Sequence, residues 1–190
     1  MKLHHTSIAL ITTCILLFTS TACPAHEGHD APLASSPNPS TLMQMFDKLK
    51  ALQGEWIDVD GTFGEKGAVV VSYRVTGNGS AVIETHFPGK RSEMTTLIHR
   101  DGGDLALTHY CSLGNQPRMR AHEMRGDVLM FEFDGGTSFD VAHDRHMHRR
   151  QMRINSVDDI SGEWEEWLNG RSEPRYFKQY HLQRKLPATT

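Results

Sequence analysis

Cysteine is almost missing from this chain. Three occur in 190 residues, and two of them, Cys14 and Cys23, fall in the N-terminal leader. Cys111 is left alone in the folded part, so no structural disulfide is available there. A lone thiol in an oxidising compartment is either buried and inert or exposed and reactive. An excess of positive charge is missing too. Twenty Lys and Arg against 23 Asp and Glu give a formal net charge of −3, which removes the electrostatic drive for nucleic-acid binding. The longest apolar run, Ile8 to Phe18, is too short to serve as a mature membrane span. The chain also lacks a nucleophile elbow, a glycine-rich phosphate loop, a His-Glu-x-x-His pair and a dinucleotide fingerprint. These absences weigh against an enzyme.

The leader has the grammar of an export signal: Lys2, then the apolar run, then small residues from Thr19 to Ala25. Two processing routes fit it. Cleavage after Ala25 leaves a soluble chain beginning at His26. Alternatively, Ser20-Thr21-Ala22-Cys23 resembles a bacterial lipobox, with Ser20 standing where an aliphatic residue is usual, and Cys23 would then carry a lipid anchor. Residues 1–25 are therefore expected to be a signal peptide, with the periplasm or cell envelope as destination. Contact with a membrane is expected only through Cys23. Residues 26–40, "HEGHDAPLASSPNPS", read as a flexible tether, and residues 41–186 as one folded domain.

That domain opens with Leu42, Met45, Phe46, Leu49 and Leu52 at helical spacing, capped by Ser40 or Thr41 and stopped near Gln53-Gly54. From Glu55 the period becomes alternating. "AVVVSYRV", "AVIETHF", "EMTTLIH", "LALTHYC", "RMRAHEM", "VLMFEF", "HMHRRQMRI", "SGEWEEWL" and "RYFKQYHLQR" are strands. They are separated by turn signals such as Gly77-Asn78-Gly79, Arg100 to Asp104, and Asn169-Gly170. Hairpins in sequence make a meander, and a meander removes its exposed edges most completely by closing on itself. The expected fold is mainly β, an antiparallel up-and-down barrel of about eight to ten strands preceded by one short N-terminal helix. A β-sandwich is the competing architecture.

Two stretches carry a resemblance. Gly54-Glu55-Trp56 follows the helix directly, and Arg184 stands on the last strand. This pairing resembles lipocalin-like barrels, in which a Gly-x-Trp opens the first strand and a late Arg covers the Trp and closes the barrel base. A guanidinium over an indole is a cation–π contact. "EMTTLIHRDGGDLALTHYCSLGNQPRM", Glu93 to Met119, is similar to a stretch of uncharacterised bacterial lipocalin-like proteins, many of them exported. The resemblance implies a calycin-type barrel and brings no activity with it.

Within "LTHYCSLGNQPRM" alternation places His109 and Cys111 on the face of Leu105 and Leu107, with Tyr110 opposite. They read as lining for an interior pocket, as ligands for zinc, copper or haem iron, as a nucleophile and base, or as a buried structural pair. Gly114 to Arg118 reads as a turn whose Asn115, Gln116 and Arg118 could face a ligand at the barrel mouth. Glu84 and His86 share a face with Val82; if that face looks inward, Glu84 requires His109 or an Arg as partner. Which face looks inward stays open. His146 and His148 form half of a metal site that lacks a third ligand such as His143, His122, His26 or His29.

The expected function is thus an exported barrel enclosing a small, largely apolar or amphipathic molecule, contacted by His109, Cys111, Glu84, Arg118, Asn115 and Gln116. No cofactor is required. The alternatives are a haem-, zinc- or copper-binding protein using barrel histidines, and a small hydrolase or isomerase built in the barrel mouth.

Overall fold

The computed structural model describes residues 39–125 and 127–187. The leader, Cys23, His26 and His29 lie outside the described residues. The first element is a helix, α1 (Pro39–Ala51), which takes in the last two residues read as tether. Proline suits the first helical position because the amide it lacks would be unpaired there. Twelve strands follow: β1 (Gly54–Asp58), β2 (Val69–Thr76), β3 (Ala81–His86), β4 (Met94–Asp101), β5 (Asp104–Tyr110), β6 (Gln116–Ala121), β7 (Met124–Arg125), β8 (Val128–Thr137), β9 (His146–Ser156), β10 (Asp159–Leu168), β11 (Arg171–Ser172) and β12 (Lys178–Arg184).

Ten of these strands close into an antiparallel barrel in the order β1-β2-β3-β4-β5-β6-β8-β9-β10-β12, with β12 returning to β1. The two-residue strands β7 and β11 extend hairpins against β8 and β10. The architecture is an up-and-down meander, consistent with a lipocalin-like barrel, and the sandwich is not formed.

One end of the barrel is plugged by α1, whose Leu42, Met45, Phe46 and Leu49 are buried together with Leu52 just beyond its end. Val82, Ile98, Leu105, Leu129, Ile160 and Leu182 are buried with them in one apolar core. Trp56 and Arg184 lie directly opposite each other across the β1–β12 pair. The guanidinium stands 4.8 Å from the indole ring. It also donates to the carbonyls of Ala51 (2.9 Å) and Gln53 (2.6 Å) at the helix end, and to Val157 (2.6 Å). Trp56 Nε1 donates to Leu52 O at 2.9 Å. One late arginine therefore supplies donors that the C-terminus of α1 otherwise lacks. Gly54 has φ +133°, and a Cβ placed there would come within 3.0 Å of the Arg184 guanidinium. That close approach is the local reason for glycine in Gly-x-Trp.

Two features depart from the sequence reading. Gly114 to Arg118 is not one turn: the turn spans Cys111 to Asn115, where Cys111 N donates to Asn115 O at 3.0 Å. Gln116, Pro117 and Arg118 already belong to β6. Pro117 is tolerated because β6 is irregular there, opposite Gly136, so its missing amide breaks no regular ladder. The second departure follows from the first. With Met119 and Ala121 facing the core, alternation turns Arg118 to the exposed outer surface, away from any interior pocket.

Candidate functional site

Above the apolar base the barrel interior becomes polar. β3 alternates Val82, Glu84 and His86 inward, and β5 alternates Leu105, Leu107 and His109 inward. β2 contributes Tyr73, β12 Tyr180, β10 Trp164 and β9 Arg150, all buried. Glu84 is thus an interior carboxylate, and its partner is Arg150. The guanidinium grips both carboxylate oxygens, with Nη2 donating to Oε1 at 2.8 Å and Nη1 to Oε2. The hydroxyls of Tyr180 (3.3 Å) and Tyr73 (3.5 Å) surround Nη2. Gly162 makes room for this arrangement, since a Cβ there would meet the Tyr180 hydroxyl at 2.5 Å.

The electrostatics follow from burial and pairing. Burial alone would raise the Glu84 carboxyl, yet the Arg150 charge and the neighbouring His86 outweigh it and hold the group well below the usual carboxylate range. The same burial and the Glu84 charge push the Tyr73 phenol well above its ordinary value. The fixed charges of Glu84 and Arg150 offset each other.

His109 is 1% exposed. Its Nδ1 is 2.8 Å from Thr96 Oγ1, on the neighbouring strand. Burial, with the nearby His86, lowers its pKa to about 3, so the ring is neutral at ordinary pH. Its ring centre lies 5.1 Å from that of Trp164 and 5.8 Å from that of His86. Arg150 in turn stacks 4.6 Å from the Trp164 ring. Four side-chain nitrogens in this packed group have no hydrogen-bond partner: His86 Nε2, His109 Nε2, Trp164 Nε1 and Arg150 Nε. Fully buried polar atoms are nearly always paired, so this concentration singles out the interior as the site.

The neutrality of His109 has a consequence for stability. An unfolded imidazole takes up a proton below pH 6.5, whereas the folded one resists until about pH 3. Unfolding is therefore favoured as the pH falls through that window. Between pH 7 and pH 5 the His109 contribution drops by about 2 kcal/mol. Urea denaturation at both pH values should show a smaller acid loss for His109→Gln than for the unaltered protein; equal losses would refute this account.

The mouth over Glu84 and His86 is roofed by aromatic rings. Phe63, from the loop between β1 and β2, packs edge-on against Phe87 at 5.8 Å and at a tilt of 32° against Tyr180 at 6.0 Å. The loop contains Gly61, Gly64 and Gly67, all at positive φ. Phe87 is itself held at φ +52°, a strained conformation for a bulky residue. Beneath lies about 140 Å³ of empty space lined by Phe63, Val71, Glu84, His86, Tyr180 and Leu182, no part of it wide enough to seat the centre of a water molecule. The mouth is shut.

The remaining residues singled out from the sequence have local duties. Cys111 is half-buried beyond the end of β5. Burial raises its pKa, and Arg145 and Glu166 are the charges that act on it, while His109 Nδ1 is taken by Thr96. The thiol is accordingly protonated at neutral pH and is not set up as a nucleophile. Asn115 is buried and ties its turn to the residue preceding β9 by donating to Arg145 O at 2.8 Å. Gln116 donates to Gly114 O and accepts from the Thr137 hydroxyl. His146 Nδ1–H donates to Asp144 O, which leaves its Nε2 to accept from His148 Nδ1–H at 3.0 Å. His148 is sandwiched between Trp167 at 3.7 Å and Phe133 at 4.5 Å. The two imidazoles thus bind each other and an aromatic stack. Among the described residues no group of three or more His, Cys, Asp or Glu side chains is placed to hold a metal ion.

Sequence reasoning missed Arg150, Trp164, Tyr180 and Thr96. Arg150 was hidden in the Arg149-Arg150 pair. Its signal was present: in "HMHRRQMRI" it shares alternation with Met152 and Ile154, so one of the paired arginines must face inward. Compared with known proteins, the chain matches no family model and no curated protein.

Proposed function

We propose that this chain is an exported barrel of the lipocalin-like kind that holds a small, largely apolar molecule in its interior, at the polar layer under the Phe63–Phe87 roof. The observation that carries this reading is the set of unpartnered nitrogens on His86, His109, Trp164 and Arg150, concentrated in the buried interior. A bound molecule offering a polar group would relieve them. Entry requires Phe63 to swing aside, which breaks the hydrogen bond its amide donates to Asp58 Oδ2 at 2.7 Å. The leader supports delivery to the periplasm or cell envelope.

Native mass spectrometry of the protein isolated from its own host tests the reading. The expected result is an adduct of fixed mass that is released on unfolding. A bare chain in every preparation would sink it. A second reading rests on the same imidazole: with Nδ1 anchored by a hydroxyl and Nε2 open, His109 has the arrangement of a metal-held or haem-held ring. Elemental analysis for zinc and copper, and a Soret band after addition of haemin, decide it on the same sample.

A further inference from the structure

A single residue holds the loop between β1 and β2 at both ends. Asp58, the last residue of β1, is fully buried. The amide of Gly61 donates to its Oδ1 at 3.0 Å and that of Phe63 to its Oδ2 at 2.7 Å. Its main chain clasps the far end of the loop, the carbonyl accepting from Gly67 N at 2.7 Å and the amide donating to Ala68 O at 3.0 Å. Gly61, at φ +78°, bends the chain between the two donated amides. A buried carboxylate stripped of charge-assisted donors is costly, so the loop does not drift off Asp58 freely.

What the loop carries is one wall of the interior. The space beside Glu84 and His86 is lined by these two residues of β3, by Val71 of β2, by Tyr180 and Leu182 of β12, and by Phe63. The others stand on strands, and moving them breaks a ladder of backbone hydrogen bonds. Phe63 alone stands on a loop. It has room to leave: Asp60 and Thr62 of the same loop border a groove of about 710 Å³ on the outer face of β9, β10 and β12, beside Gln151, Glu163 and Gln179.

We infer that residues 59–68 are the gate of the barrel and that the Asp58 carboxylate is its latch: Phe63 leaves the mouth only when the amides of Gly61 and Phe63 leave Asp58. The gate governs entry to the interior site proposed above and rests on that reading. Two readouts on the full chain at pH 7 test it. One is hydrogen exchange at the amides of Gly61 and Phe63. The other is the rate at which diethyl pyrocarbonate modifies His86, located by peptide mass spectrometry and referred to the exposed His122.

Asp58→Asn keeps the shape and replaces one accepting oxygen by a donor that faces an amide. Exchange at both amides and labelling of His86 should rise together by at least about tenfold, with the amides of β4 and β5 unchanged. Phe63→Ala removes the ring and keeps the latch, so His86 labelling should rise while the Gly61 amide stays slow. Should Asp58→Asn not fold, the unaltered protein decides the latch: Gly61 and Phe63 should share one protection factor, and exchange at the rate of an unstructured chain overturns it. Loosened amides with unchanged His86 labelling overturn the gate. Unmoved amides in Asp58→Asn overturn the latch, and faster exchange throughout β4 and β5 overturns both, since Asp58 then acts on the whole fold. Native mass spectrometry keeps the two readings apart. A bare chain with His86 labelling raised in the variants removes the bound molecule and leaves the gate; an adduct with labelling unchanged does the reverse.

Discussion

Arg150→Met is expected to destabilise the barrel by about 3–5 kcal/mol, which lowers the melting temperature by roughly 10 °C for a chain of this size. The reason is what it leaves behind. Glu84 is 1% exposed, and its ionised form depends on the guanidinium that grips both oxygens. Without it the carboxylate is a buried charge with only His86 nearby, 3.2 Å from Oε1. The double variant Glu84→Gln with Arg150→Met removes both charges. It should recover most of the loss, since deleting a whole buried ion pair costs far less than breaking one. The acid behaviour should change in parallel. Glu84 titrates below its ordinary value in the fold, so the stability it supplies is present above the unfolded pKa and disappears as the pH falls below it. In the double variant that acid-sensitive component is gone. Thermal melts of the three proteins at neutral pH decide the matter: a double variant no more stable than Arg150→Met would mean that the pair is not what matters at this position.

Trp56→Ala is expected to cost about 3–5 kcal/mol by loss of burial and creation of a cavity. The indole is fully buried, packs edge-on against Tyr73 at 6.0 Å and ties β1 to the helix through Leu52 O. Arg184→Met should cost less, about 1–3 kcal/mol, because its side chain is 18% exposed and water can reach part of what it releases. The two losses should not add, since guanidinium and indole share one contact. Amide exchange gives the sharper readout: in either variant the protons of α1 should exchange faster before those of β4 and β5. Uniform acceleration across all strands would show that the pair contributes bulk stability and no specific anchoring of the helix.

Much of the fold was legible because alternation and helical spacing report directly on burial. The face of Leu105, Leu107 and His109 is the interior one, and the spacing of Leu42, Met45, Phe46, Leu49 and Leu52 marks the plug. Trp56 and Arg184 were legible by position. The site was only half legible. Glu84 demanded a buried partner, but Arg150 lies 66 residues away in sequence, and no local pattern selects one arginine among several. Trp164 was not legible, because an indole gives no sequence sign that its N–H will be unpaired. Arg118 misled for a different reason: polar residues after Gly114 suggested a loop, while Pro117 sits in a strand only by virtue of the irregularity opposite Gly136, which is a property of the partner strand.

The pairing of β1 with β12 sets an order of events. Trp56 meets Arg184 across the seam, and that arginine holds the helix end 133 residues earlier in the chain. No partial product that stops short of β12 can complete the ring: it would carry two raw strand edges and a loose helix, a form prone to pair with other chains. Closure of the ring therefore waits for β12. The chain stays open and threadable until its last strand is present, and then locks from both ends at once.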